Sequence, residues 1–177
     1  AEEEARGTST YVPPNPIDAV FLDLPLLTGD EVPHAPHVAM TAARWPGAAA
    51  LYSAPQDAGY RLDRLVPRAA IVGTTLTAMS AAQPGLWDRG PALRIELVRG
   101  ALQSMEMADI LSGRNVMAIG DGSPDIWEVF QFVEAELVAP RIYDLRLRLR
   151  GQAGTDGVMP PEWPAGSRVV LLDKAPV

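Results

Sequence analysis

The chain has 177 residues, 22 acidic against 15 basic, for a formal net charge of −7. Its 47% apolar and 21% charged residues allow a buried core and exclude wholesale disorder. The acidic balance argues against generic binding to phosphate backbones or anionic lipid, and the absence of cysteine removes disulfide frameworks, thiolate metal sites and cysteine nucleophiles.

The length suits one domain, or two small ones. No stretch approaches the roughly 20 consecutive apolar residues of a membrane-spanning helix, and the acidic start Ala1-Glu2-Glu3-Glu4 is unlike a signal peptide's basic region. The first residue, Ala1, and the unpunctuated end Lys174-Ala175-Pro176-Val177 read as a segment of a longer chain. Residues 1–17, acidic at first and then rich in Thr, Ser and Pro, read as a linker from an upstream domain, residues 18–173 as one β-rich domain, and residues 174–177 as the start of a continuation.

Seventeen prolines, clustered at Pro13-Pro14-Asn15-Pro16, at Pro33 and Pro36, and at Pro160-Pro161 with Pro164, leave no room for long helices. Short apolar runs between Gly, Pro and Asp predict strands over Ala19 to Leu27, His37 to Ala43, Ala48 to Ser53, Tyr60 to Leu65, Ala70 to Ala78 and Ala92 to Val98. Met105 to Leu111 is the one helix expected, with Ser104 as its N-cap and Gly113 just past its end. Trp127 to Val138 carries bulky residues on both faces and is followed, after Ala139-Pro140-Arg141, by a strand from Arg141 to Arg150. There Tyr143, Leu145, Leu147 and Leu149 alternate with Asp144, Arg146, Arg148 and Arg150, which predicts one wet face. The two form a hairpin, and Phe130 and Phe132 demand a cover, as in a barrel or sandwich. With Arg168 to Leu172 the strands number about nine. The expected fold is mainly β, an antiparallel β-barrel or β-sandwich with one short helix.

Candidate chemistry is sparse. His34 and His37 sit three apart, but Pro33 and Pro36 forbid a helix there and no third ligand is adjacent, so a rigid extended lead-in is preferred to a metal site. Gly120-Asp121-Gly122-Ser123-Pro124-Asp125 lacks the third glycine and following helix of a dinucleotide loop. It also lacks the alternating oxygens, and the glutamate about twelve along, of a calcium loop; it reads as an exposed turn. Glu128, Glu134 and Glu136 are expected on one solvated strand face, where carboxylates keep a sheet soluble, in preference to a glycosidase pair. No Gly-x-Ser-x-Gly elbow is present. Trp45, Trp87, Trp127 and Trp163 read as core plugs or interface anchors in preference to sugar platforms. No catalytic, cofactor-binding or metal residues are assigned.

Several strings in order go further: Leu86-Trp87-Asp88-Arg89-Gly90, Arg94-Ile95-Glu96-Leu97, Ala118-Ile119-Gly120, Trp127-Glu128-Val129-Phe130-Gln131-Phe132, Ala135-Glu136-Leu137-Val138, Leu147 to Thr155 and Val169-Val170-Leu171-Leu172-Asp173. Over roughly Asp18 to Asp173 they resemble the C-terminal region of the gene transfer agent baseplate multidomain (megatron) family, relatives of phage tail-tip hub and host-specificity proteins. Leu111-Ser112-Gly113-Arg114-Asn115 departs from the Asn-Gly-Ala-Asn-like turn expected there. The resemblance implies a structural, non-enzymatic virion component of a tail tip or baseplate, without cofactor. It implies a homotrimeric hub in contact with neighbouring tail proteins, without sequence-specific nucleic-acid binding, acting in host attachment at the cell envelope and in DNA delivery. The competing expectation is a carbohydrate-binding β module for capsule or lipopolysaccharide, motivated by the four tryptophans.

Overall fold

The structure, a computed structural model, describes residues 15–29, 31 and 35–172. His34, Pro33, residues 1–14 of the expected linker and the continuation at 174–177 lie outside the described residues. The strands in chain order are β1 (Asp18–Leu22), β2 (His37–Thr41), β3 (Ala49–Ser53), β4 (Arg61–Val66), β5 (Val72–Thr75), β6 (Met79–Ser80), β7 (Trp87–Asp88) and β8 (Leu93–Leu97). A short helix α1 (Met107–Leu111) precedes β9 (Val116–Gly120), β10 (Trp127–Ala139), β11 (Ile142–Gln152), β12 (Glu162–Trp163) and β13 (Arg168–Leu171).

Six antiparallel strands close into a barrel in the order β10-β9-β13-β5-β8-β11, the ring completed by β10 against β11. Closure leaves no free edge along most of the ring. The β10–β11 hairpin falls where alternation places it. β9 goes beyond the expected strands: its run Val116 to Gly120 is buried on both sides and so shows no period of two. The long expected segment at Ala70 to Ala78 is two strands, β5 and β6, and β1 stops at Leu22, before Pro25.

Successive residues serve different layers. Met117, Ile119, Val169 and Leu171 point inward to join Ile95, Phe130 and Phe132 in the barrel core. Ala118, Val170, Val72 and Trp127 point outward and are covered by Val20, Leu22 and Ala39 of the β1–β2 pair. Phe130 and Phe132 thus find their cover inside a closed barrel. Gly120 is required by this packing, since a Cβ there would lie 2.5 Å from the Ile126 carbonyl and 2.7 Å from the Trp127 ring.

Helix α1 buries Ile110 against Val133 and Leu149 on the barrel's outside. Its N-cap position is Glu106, with no side-chain cap. Ser104 instead accepts a hydrogen bond from the Ala135 amide, 3.0 Å away, which ties the approach to the helix to the edge of β10. Gln131 donates to the carbonyls of Ile110 and Arg114 at the far end, and Asn115, at φ 53°, reaches the carbonyls of Gln103 and Phe132. Asparagine tolerates this left-handed conformation better than most residues.

Candidate functional site

Of the residues expected on the wet face of β11 only Arg146 is exposed; Asp144, Arg148 and Arg150 are buried. Arg148 and Arg150 are buried inside the barrel wall, as is Glu128 on the neighbouring β10. Backbone geometry supplies the reason. Leu147 adopts φ 52°, in the left-handed region, and this interrupts the alternation. Leu145 faces the barrel core, Arg146 is exposed, Leu147 turns outward beneath α1, and Arg148 and Arg150 then point inward. Strand β10 shifts at the same level, because Val133 packs outward and Glu134 is exposed while Phe132 and Ala135 meet the core. Glu128 therefore does not share a face with Glu134 and Glu136; the latter two are exposed.

The inward side chains form one ionic cluster. Arg150 holds both Glu128 oxygens, Nε to Oε1 at 2.7 Å and Nη2 to Oε2 at 2.8 Å, and its Nη1 donates to the Ser80 carbonyl. Glu128 also accepts the Trp163 indole N–H at 2.6 Å and the Gly151 amide at 3.1 Å. Arg148 donates Nε and Nη2 to Asp88 Oδ2 and Nη1 to the carbonyls of Pro91 and Leu145. Asp88 lies 3.7 Å from Arg150 and links the two pairs. Two acids face two guanidinium groups, and each charge is hydrogen-bonded, which is the condition for burying charge at tolerable cost.

Asp88 comes from the Leu86-Trp87-Asp88-Arg89-Gly90 string, and the chemistry explains the spacing. Its other oxygen accepts the Gly90 amide at 2.8 Å, which fixes the turn into β8. Burial pushes the Asp88 carboxyl upward, but the Gly90 amide and the Arg148 and Arg150 guanidinium groups outweigh it and hold it below the ordinary aspartate range. With Met79 and Trp163 of the β6–β12 pair in the barrel core, the cluster fastens that pair to the wall. It is a fastening, with no open space for a substrate at Glu128.

On the outer face, Asp144 of β11 meets Arg94 of β8 in a two-point pair, 2.7 and 2.8 Å. The Arg94 guanidinium holds the Asp144 carboxyl low. Asp18 on β1 pairs with Arg168 on β13 and so clips the outer β1–β2 pair to the barrel. The loop at Asp121 to Asp125 is an exposed turn in which Asp121 accepts the Ser123 amide. Among the described residues no three His, Asp or Glu side chains stand together to hold a metal ion.

The tryptophans divide. Trp127 and Trp163 are buried, and Trp45 and Trp87 are half-buried, so none forms an exposed sugar platform. Sequence reasoning passed over the tyrosines. A groove of about 500 Å³ runs between the β1–β2 pair and the β3–β4 hairpin, rimmed by Phe21, Tyr52 and Tyr60, with Asp63 along one side. His37 lies in its floor, nine-tenths buried, with its ring hydrogen-bonded to no described residue. Beside the groove Glu31 caps a loop: its carboxylate accepts the amides of Leu27, Thr28 and Gly29. Desolvation pushes this carboxyl upward, and the amides overcome it to hold the group at about 2.

A family model, Rcc01698-like C-terminal, matches residues 70–170. The chain belongs to the Rcc01698-like C-terminal family. The match begins just before β5 and ends within β13, so it spans the barrel, α1 and the ionic cluster, and the β1–β2 and β3–β4 pairs precede it. A search of curated proteins gives no match. Among the described residues no helix is long and apolar enough to cross a membrane.

Proposed function

We propose that this chain is a structural part of a phage-like tail tip or baseplate, in a gene transfer agent or siphophage particle, and that it assembles as part of a trimeric hub in host attachment and DNA delivery. The observation that carries this reading is the family match over the whole barrel, because Rcc01698, after which the family is named, is a gene transfer agent-associated protein from Rhodobacter. The architecture suits the role. A closed ring of backbone hydrogen bonds with an ionic cluster across its wall resists shear, as a tail-tip part must. The reading assigns no reaction to this domain: Glu128, the acid nearest to a catalytic candidate, has both oxygens engaged by Arg150 and the Trp163 indole.

Quantitative mass spectrometry and antibody labelling of purified particles test it. Label confined to the tail tip, with copy number in multiples of three, is the expected result; absence from particles overturns the reading.

A second reading, a carbohydrate-binding module, keeps one observation in its favour, the groove with exposed Tyr52 and Tyr60 on its rim. Aromatic faces stack on apolar faces of ligands, and Asp63 supplies a hydrogen-bond acceptor. A glycan array on which Tyr52→Ala removes binding to a specific saccharide would establish it, and an array without binding would dispose of it.

A further inference from the structure

We infer that residues 8–12, Thr8-Ser9-Thr10-Tyr11-Val12, add as an extra strand to the outer edge of β1 in a neighbouring copy of this chain. The inference deepens the hub reading and rests on it for the presence of neighbouring copies.

Two hydrogen bonds fix which way the edge points. The Ala70 amide bonds the Met40 carbonyl, so Met40 and Val38 turn their backbone groups away from β1. Their partners Ala19 and Phe21 then direct N–H and C=O away from β2, and the Asp23 amide, next in the same phase, bonds the Pro124 carbonyl on that side. The four groups of Ala19 and Phe21 bond no described residue. β1 has none of the devices that blunt an edge, since it carries no proline, no lysine and no bulge. Elsewhere the barrel is closed, Ala70 occupies the second edge of β2, and β4 is bulged at Asp63, with Tyr52 paired to Leu62 but Leu51 to Arg64. Val20 and Leu22 are buried against Trp127 and Val129, so an added strand would extend a layer that already has a floor. Ile126, between Pro124 and Trp127, is left 42% exposed there.

The chain outside the described residues supplies the occupant. Residues 1–14 precede Asn15, and within them Thr8, Thr10 and Val12 alternate with Ser9 and Tyr11, a proline-free and β-branched stretch with the composition of a strand. With Tyr11 beside the exposed Phe21 on the outer face, Thr10 and Val12 fall over Ile126. The join decides between the chain's own edge and a neighbour's. Pro13, Pro14 and Pro16 bias Val12, Pro13 and Asn15 to extended conformations. Residues 13–16 therefore run on for about 12 Å, in place of the tight reversal that a hairpin onto the chain's own β1 needs. Pairing of two β1 edges is disfavoured by space, because the second barrel would come to the side of the sheet where β10 already stands. A lone strand brings no such obstacle. A strand passed from each copy to the next is a head-to-tail contact, which generates a ring when the rotation closes.

The test uses the full 177-residue chain. Light scattering on a sizing column at up to about 100 µM should show association. Thr10→Pro, in the donated segment, and Ala19→Pro, whose lost N–H faces away from β2, should each return the chain to monomer while tryptophan fluorescence reports an unchanged fold. Hydrogen exchange should find the Ala19 and Phe21 amides protected in the wild-type assembly and fast in Thr10→Pro. Photo-reactive benzoylphenylalanine in place of Tyr11, on isotopically heavy chains mixed with an excess of light ones, should cross-link to residues 17–23 or 124–126 of light chains. Cross-links confined to heavy chains or to any other surface, fast exchange of both amides in the assembly, or a chain that stays monomeric overturn the inference. A monomeric chain that still labels the tail tip leaves the hub reading standing; an associating chain absent from particles overturns the hub reading alone.

Discussion

Trp163 and Arg150 share one oxygen of Glu128, the indole N–H at 2.6 Å and the guanidinium Nη2 at 2.8 Å. Arg150 belongs to β11 and Trp163 to β12, which pairs with β6, so a single buried carboxylate joins β10, β11 and the β6–β12 pair. Removing it strands a buried guanidinium, and removing the guanidinium strands the acid.

Glu128→Gln should therefore destabilise the fold by about 3–5 kcal/mol, as breaking a buried pair does. Arg150→Met should cost a similar amount. The double variant Glu128→Leu with Arg150→Met should recover most of the loss, because an apolar pair of similar volume leaves no uncompensated charge. Urea unfolding followed by tryptophan fluorescence checks this; single and double variants with additive losses would contradict it.

Leu147 gives a second expectation. Its φ of 52° is costly for any residue with a Cβ and more so for one branched there. Leu147→Val, conservative by hydropathy, should destabilise by about 1–3 kcal/mol through backbone strain, whereas Leu145→Val, in regular strand, should cost about 1 kcal/mol. Equal losses at the two sites would mean that the bend carries no strain.

Gly120 tests the close approach of β9 to the Trp127 ring. Gly120→Ala places a Cβ 2.5 Å from a carbonyl oxygen that cannot move without disturbing β10. The expected cost is about 1–3 kcal/mol, read as a lower melting temperature. Gly113→Ala, where a Cβ meets nothing within 4 Å but φ is 91°, serves as a control for conformational strain alone.

Much of the β architecture was legible because turns and alternation are local. The β10–β11 hairpin, the separate strands β3 and β4 and the single short helix follow from Gly, Pro and period-two patterns. What failed was the facing of Arg148, Arg150 and Glu128. A charged residue at a polar phase of an alternating strand reads as solvated, and only the left-handed turn at Leu147, which Leu does not advertise, reverses the phase of Arg148 and Arg150; Glu128 keeps the inward phase of Phe130 and Phe132, and Glu134 and Glu136 leave it. Asp88 could have been flagged, since an Asp two residues before Gly in a short turn signals a side-chain cap, but its arginine partner lies 60 residues away. The bulge at Asp63 escaped notice for the same reason: Leu62 and Leu65 share a face only once the register slips.

Acid should loosen this fold through identifiable carboxylates. Glu31 ordinarily titrates at 4.5 and is held at about 2 by the loop amides, and Asp88 and Asp144 are also lowered. A depressed folded-state value means that the unfolded chain binds the proton more tightly, so these groups contribute stability above the ordinary carboxylate range and lose it as pH falls. Stability should be flat from about pH 7 to pH 5 and then fall between about pH 4 and pH 2. Asp88→Asn should lower stability at neutral pH, because it leaves Arg148 without its anion, and should flatten the acid limb. Glu31→Gln should flatten the lowest part of that limb and lower stability at neutral pH as well, since it removes the carboxylate that the Leu27, Thr28 and Gly29 amides hold charged. Chemical denaturation at a series of pH values separates the two, and an acid limb identical in wild type and Asp88→Asn would place the titrating groups elsewhere.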